Sequence, residues 1–187
     1  MSVLTSQSDK LLILDLDETL VFATESPLDR DPDFIALDYS VYRRPHVDQF
    51  LRFCVLHFRV AVWTSSGSQY AAAVVNNLFG SAERLEFLWC ADRCTLQFDA
   101  DTGRTHNVKR LSKLKRLGYD LTQVIVVDDT ERKHRQNYGN LVRVREYVGD
   151  PNDNELHCLE RYLVQLKDVP NVRNVEKRWW HRQVGCE

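Results

Sequence analysis

The chain has 187 residues, of which 43% are hydrophobic and 28% charged, and its formal net charge is -2. That length suits one domain burying roughly 70% of its unfolded surface. The near-neutral balance gives no general attraction to nucleic acid or to an anionic membrane, and no apolar run approaches the ~20 residues of a membrane span.

The polar stretch Met1 to Lys10 lacks the apolar core of a signal peptide, so a soluble, intracellular protein is expected. The five cysteines are an odd number in a chain large enough to need no staples, which predicts reduced thiols.

The first strand signal is Leu11-Leu12-Ile13-Leu14, a short apolar run bounded by charge, as in strands buried on both faces. It runs directly into Asp15-Leu16-Asp17-Glu18-Thr19-Leu20. Both carboxylates therefore leave the sheet at its carboxyl end, where open α/β sheets bind ligands. Thr24 to Tyr42 is polar and punctuated by proline, and is read as a flap over one end of the sheet. Pro45 is placed at the first position of a helix that carries Val47, Phe50, Leu51 and Cys54 on one face.

A strand over Phe58–Trp63 leads through Thr64-Ser65-Ser66-Gly67 into a helix from Ser68 to Phe79, stopped by Gly80. Phe87–Cys90 is a further strand. Residues 93–106 alternate in Thr95-Leu96-Gln97-Phe98 and turn at Asp101-Thr102-Gly103, which predicts a small hairpin. A third helix is read through Val108, Leu111, Leu114 and Leu117 to Gly118, with Lys109 near its start.

Val124-Ile125-Val126-Val127 is the strongest strand and ends on Asp128-Asp129; Leu141–Val144 follows. After the cap-like Asn152-Asp153-Asn154, a last helix carries Leu156, Leu159, Leu163 and Leu166. The tail from Glu176, with Trp179-Trp180, has no helical or strand period. Strands alternating with helices predict a parallel sheet covered on both faces. The expected divisions are an extension over residues 1–9, one α/β unit over 10–168 and a tail over 169–187.

Two acids one residue apart at a sheet edge can divide the work of nucleophile and proton donor. Hydroxyls and backbone amides at Thr64 and Ser65 suit an anion, although Ser and Thr are also ordinary helix caps. Lys109 at a helix start opposes the helix dipole unless an anion lies near it; otherwise it belongs to a solvated basic set with Arg110, Lys113, Lys115 and Arg116. Asp128 and Asp129 raise each other's proton affinity unless a cation compensates. Beside Asp15 they would form an oxygen-rich cluster suited to Mg2+.

Cys90 and Cys94 with His106 are a poor zinc candidate, because no second pair has matching spacing. Arg43, Arg44 and the run Arg132-Lys133-His134-Arg135 read mainly as solvated surface charge, with a second phosphate site as the alternative. His46, His57 and His134 read as surface or packing residues.

The order along the chain is acid pair, hydroxyl, lysine, acid pair. With Leu14 to Val21, Arg44-Pro45-His46-Val47-Asp48-Gln49-Phe50-Leu51, Trp63 to Ser66, Val108-Lys109-Arg110-Leu111 and Val127-Asp128-Asp129, the chain resembles the haloacid-dehalogenase superfamily. Within it, the resemblance is to the FCP/SCP-type, NLI-interacting-factor-like protein phosphatases, over roughly residues 10 to 168.

That resemblance implies a Rossmann-like fold with a minimal cap, made of a short flap and a small hairpin insertion. It implies a Mg2+-dependent phosphomonoester hydrolase with a phosphoprotein or phosphopeptide as substrate. Asp15 would be the nucleophile that forms an aspartyl-phosphate and Asp17 the general acid/base. Thr64, Ser65 and Lys109 would hold the phosphoryl oxygens. Asp15, the backbone carbonyl of Asp17, Asp128 and Asp129 would surround the metal.

The chain departs from many relatives at Asp129, where they have asparagine, and at Trp63, where they have phenylalanine and where a larger ring is expected near the mouth. Alternatives within reach of the same motifs are a phosphatase of nucleic-acid ends or small phosphoesters, a signalling receiver, whose acids and lysine come in a different order along the chain, and a catalytically silent interaction module. The oligomeric state is left open.

Overall fold

A parallel sheet buried on both faces needs apolar residues at every strand position, and alternate residues then go to opposite layers. The computed structural model, which describes residues 8–100 and 103–186, is built this way. The central strands are β1 (Leu11–Leu14), β5 (Arg59–Trp63), β6 (Leu88–Trp89), β9 (Val124–Asp128) and β10 (Leu141–Arg143), in the spatial order β10-β9-β1-β5-β6. All their pairings are parallel.

Leu12, Leu14, Val60, Val62, Ile125 and Val127 face a large core closed by α1 (Val47–His57), α2 (Ser68–Phe79), α4 (Glu155–Leu166) and the short α5 (Trp180–Gln183). Leu11, Ile13, Ala61, Trp63, Val124 and Val126 face a smaller one, closed by Trp89 and by Leu111 and Leu114 around α3 (Ser112–Lys115).

Strand β1 is central, with Leu14 in register with both Val62 and Val127. Asp15 follows Leu14, Asp128 follows Val127, and Thr64 lies two residues past Val62. The register alone thus carries three distant stretches to one edge. Two small antiparallel pieces complete the fold. The first, β2 (Val21–Thr24), β3 (Phe34–Ala36) and β4 (Tyr39–Arg43), is ordered β2-β4-β3 and stands where the flap was expected. The second is the hairpin of β7 (Thr95–Asp99) and β8 (Arg104–Val108). Of its expected turn, Asp101 and Thr102 lie outside the described residues, as do residues 1–7 of the N-terminal stretch.

Several expectations are corrected. The third helix is only the four residues of α3, because Val108 is drawn into the hairpin as the partner of Thr95; Lys109 therefore sits in a connection rather than on a helix. Pro45 precedes α1 instead of opening it; the residue between them, His46, takes a left-handed φ of 67°. Trp63 is fully buried in the smaller core, edge-on to Trp89 at 4.8 Å, so it is not at any mouth.

Not all thiols are reduced either. Cys158 on α4 and Cys186 in the tail form a disulfide, with Cα atoms 6.1 Å apart, while Cys54, Cys90 and Cys94 are free. The tail packs on the body for a reason the sequence hid. Trp180 is 1% exposed, stacks on Tyr162, and donates from Nε1 to the Arg143 carbonyl at 2.7 Å. Among the described residues no helix is long and apolar enough to cross a membrane.

Candidate active site

The turn after β1 is shaped by backbone bonds before any side chain acts. Leu20 and Val21 donate to the Leu16 carbonyl, Glu18 adopts φ 58° and donates to Val21, and Asp15 donates to the Val127 carbonyl at 3.0 Å. The Arg44 guanidinium braces this turn. It is 1% exposed, donates to the Thr19 carbonyl at 3.0 Å and to the Arg145 carbonyl at 2.9 Å, and makes a two-pronged contact with Asp153 at 2.8 Å on each side. Against the cost of burial, that guanidinium holds Asp153 below the usual carboxylate range. Arg44 is therefore structural, not solvated charge. Arg43 bonds Asp48 and the Asn77 carbonyl.

Asp15 is 2% exposed, and its two oxygens are divided between two lysines. Oδ1 accepts from the Leu16 amide at 2.9 Å and lies 3.0 Å from Lys109 Nζ, while Oδ2 accepts from Lys133 Nζ at 2.8 Å. Burial and the neighbouring Asp128 nevertheless push the Asp15 carboxyl up to about 6, against the pull of both lysines.

Asp128 is fully buried. It accepts from Lys109 Nζ at 2.6 Å and from the Thr130 amide at 2.9 Å, and His134 Nε2 lies 2.9 Å from it. Burial alone would raise its carboxyl, but Lys109 and His134 hold it well below the usual range. His134 is itself lowered by burial, despite Asp128.

Asp129 accepts from the Thr130 hydroxyl at 2.7 Å through Oδ2. Its Oδ1 is buried without a hydrogen-bond partner, although Lys133 Nζ stands 3.8 Å away as an ion pair. One ligand oxygen each from Asp15, Asp128 and Asp129 falls within 4.8 Å of the others, and among the described residues this is the group with such geometry. A hard divalent cation suits an all-carboxylate set, and an unsatisfied buried oxygen is what it would satisfy. The residues fit Mg2+. Cys90, Cys94 and His106 do not form such a group.

Asp17, one residue beyond Leu16, faces the other way into hydroxyl groups. Tyr70 OH donates to its Oδ1 at 2.5 Å, Ser66 Oγ donates to its Oδ2 at 2.6 Å, and Thr64 Oγ1 reaches the same oxygen at 3.5 Å. Thr64 also accepts from the Ser66 amide at 3.0 Å. Burial and Asp17 raise the Tyr70 phenol well above its ordinary range, so it stays a donor. A cleft of about 410 Å³ opens onto Asp15, Asp17, Thr64, Ser65 and Lys133, with Tyr39 and Ala23 of the β2–β4 sheet as one wall. Among the described residues none of the β7–β8 hairpin lines it, so the cap-like wall comes from the flap region.

The seven residues named from the sequence meet at this edge. Asp15, Lys109, Asp128 and Asp129 form one cluster and Asp17 with Thr64 the other; Ser65 lines the cleft between them. The sequence reading missed Lys133 and His134, hidden in a basic run taken for surface, and Tyr70, hidden in the apolar face of α2. It gave Glu18 no role. Glu18 lines the cleft, and burial together with Asp17 and Asp129 pushes it up to about 7. Thr19 is fully buried, but its hydroxyl has no partner; Arg44 braces the turn through the Thr19 carbonyl.

Residues 10–173 match the family model described as NLI interacting factor-like phosphatase. The probable C-terminal domain small phosphatase of Dictyostelium discoideum is 32% identical over 174 residues, which is 89% of this chain and 53% of that protein. The human carboxy-terminal domain RNA polymerase II polypeptide A small phosphatase 1 is 32% identical over 90% of this chain and 64% of its own length. CTD nuclear envelope phosphatase 1 of Xenopus tropicalis is 29% identical over 92% and 73%.

Among solved structures, the fission yeast RNA polymerase II CTD phosphatase Fcp1 bound to beryllium fluoride shares the fold. The TM-score is 0.57 and the identity 22%, with 94% of this chain covered and 54% of that one. With its motifs gathered at one sheet edge and the match spanning most of its length, the chain belongs to the NLI interacting factor-like phosphatases.

Proposed function

We propose that the chain is a Mg2+-dependent phosphomonoester hydrolase working through an aspartyl-phosphate on Asp15, with phosphorylated serine or threonine in proteins as substrate. The observation that carries this reading is the division of labour between Asp15 and Asp17. Asp15 is wrapped by cations at the cleft floor, while Asp17 is held by hydroxyls on the cleft's side.

Asp15 Oδ attacks phosphorus, and the bond from phosphorus to the leaving oxygen breaks. Asp17 delivers a proton to that oxygen. Deprotonated Asp17 then takes a proton from a water attacking the same phosphorus, the Asp15–phosphorus bond breaks, and inorganic phosphate leaves. Lys109 offsets charge on Asp15 and on the phosphoryl oxygens, Thr64 and Ser65 donate to those oxygens, and Tyr70 and Ser66 aim Asp17. Held by Asp15, Asp128, Asp129 and the Asp17 carbonyl, Mg2+ would let an anionic nucleophile approach an anionic phosphate and would offset charge on the equatorial oxygens.

An open cleft with an aromatic wall favours a phosphate presented on a chain over a small metabolite that must be enclosed. The relatives' names point to the phosphorylated C-terminal domain of RNA polymerase II as the model for such a chain. A phosphate on a nucleic-acid end is less well served, since the net charge of -2 supplies little attraction. The hydrolase is assigned to residues 10–168 and the tail to 169–187, with Trp180 and Cys186 of that tail bracing the body. The setting is read as intracellular, cytoplasmic or nuclear, and the nuclear envelope and RNA polymerase II in the relatives' names support the nuclear reading. The Cys158–Cys186 bond pulls the other way, because reducing compartments keep thiols open.

The test compares wild type with Asp15→Asn on an aryl phosphate and on a phosphoserine peptide, with Mg2+ and with chelator. Both the substitution and the chelator are expected to lower kcat by about 10³-fold or more. A variant that keeps its rate, or a wild type indifferent to chelator, refutes the mechanism.

A further inference from the structure

The two lysines at the cleft floor are not equivalent. Lys109 is fully enclosed, and its main chain is clamped on both sides: its amide donates to the Lys133 carbonyl at 2.9 Å, and its carbonyl accepts from Asn137 Nδ2 at 2.8 Å. Its ammonium bridges Asp15 and Asp128 at 3.0 and 2.6 Å. Lys109 is a fixed part of the floor.

Lys133 is different. It belongs to the 3-10 segment Glu131–Asn140 just after β9, its side chain is 17% exposed, and it lines the cleft. Its Nζ touches the three carboxylates from their open side, at 2.8 Å from Asp15 Oδ2, 3.6 Å from Asp128 Oδ1 and 3.8 Å from Asp129 Oδ1. Asp15, Asp128 and Asp129 are the residues whose oxygens converge closely enough to hold a metal. Lys109 consumes one oxygen of Asp15 and one of Asp128, so Lys133 competes for the oxygens that remain.

We propose that Lys133 is a tethered counter-ion for the metal cradle: its ammonium and the divalent cation exclude each other from the Asp15–Asp128–Asp129 oxygens, and metal binding moves Lys133 outward into the cleft. This rests on the metal-dependent reading above. Charge counting favours exchange over coexistence. Three carboxylates against the two ammonium groups leave one negative charge, and a divalent cation in place of Lys133 leaves none. Metal and ammonium together would set like charges a few ångströms apart in a buried site, where repulsion is strong. The lysine stem supplies the freedom to leave, since it is flexible and ends in a point charge rather than a planar fork. Swung outward, the ammonium stays among the cleft-lining groups that face a bound phosphoryl oxygen.

The test is calorimetric titration of Mg2+ into metal-free wild type and into Lys133→Met, joined to thermal unfolding of both in chelator and in Mg2+. The variant is expected to bind Mg2+ roughly tenfold tighter or more, equivalent to ~1.4 kcal/mol of relieved competition. It should also unfold at a lower temperature than wild type in chelator and gain more from Mg2+. Equal or weaker Mg2+ binding by the variant overturns the proposal while leaving the metal-dependent mechanism standing. Absence of Mg2+ binding in both proteins overturns the two together. Lys133→Gln, which keeps a polar head without charge, repeats the comparison if the methionine variant folds poorly.

Discussion

The two walls of the cleft solve opposite problems with two acids of one turn, Asp15 and Asp17. On the β9 side, three carboxylates are crowded together and made tolerable by buried ammonium groups, Lys109 within 2.6 and 3.0 Å of two of them. On the α2 side a single carboxylate, Asp17, is held by neutral hydroxyls from Ser66 and Tyr70. The charged wall suits a group that must stay anionic and meet another anion. The neutral wall suits a group that has to pass a proton back and forth, because no fixed positive charge pins it in one state. The contrast teaches that the spacing of two acids matters less than what each is turned towards.

The largest effect is expected from stripping the charged wall. Lys109→Met leaves Asp15 and Asp128 buried with much of their compensation gone. Removing one partner of a buried ion pair costs about 3–5 kcal/mol, which for a chain of this length lowers the melting temperature by roughly 10 °C. Activity should be lost with it. The neutral wall should respond less. Tyr70→Phe removes one short hydrogen bond to Asp17 but leaves Ser66 in place. A bond to a charged group is worth about 1.5–3 kcal/mol, so a fall of roughly tenfold or more in kcat is expected, with KM changing less. Steady-state kinetics beside thermal melts separate the two variants. If Tyr70→Phe destabilises as much as Lys109→Met, the two walls are not different in kind.

How much of this was written in the sequence depends on the distance over which each residue finds its partner. Strands β1, β5 and β9 and helices α2 and α4 were legible because their apolar period is local, and Gly80 closes α2 where expected, at φ 78°. The sheet edge followed from those strands, and with it the meeting of Asp15, Thr64 and Asp128. Charges were not legible in the same way. Arg44 and Asp153 are 109 positions apart and Lys133 and Asp15 are 118 apart, so a buried cation and a solvated one look alike along the chain. Val108 shows the converse error: its helical spacing with Leu111 and Leu114 was accidental, and pairing with Thr95 across the hairpin took precedence. Cys158 and Cys186 meet only because the tail returns to α4.

Glu18 offers the finest probe of the contrast, since it stands between the walls and belongs to neither. Burial, Asp17 and Asp129 raise its carboxyl from 4.5 to about 7, with Asp15 adding to the rise and Lys133 opposing it. The folded protein therefore holds this proton more tightly than the unfolded chain does. The stability carried by the neutral form is full below about pH 4.5 and is lost as pH rises through about 7. Glu18→Gln keeps the shape and removes the titration. In chelator its melting temperature should match wild type near pH 4.5 and exceed it at pH 8. Because Glu18 is only partly buried, the gain after solvent screening is about 1 kcal/mol or less, or roughly 2–4 °C. A variant that melts below wild type at pH 8 would mean that ionised Glu18 is welcomed by Lys133, and that the charged wall reaches further into the cleft than the geometry around Asp15 requires.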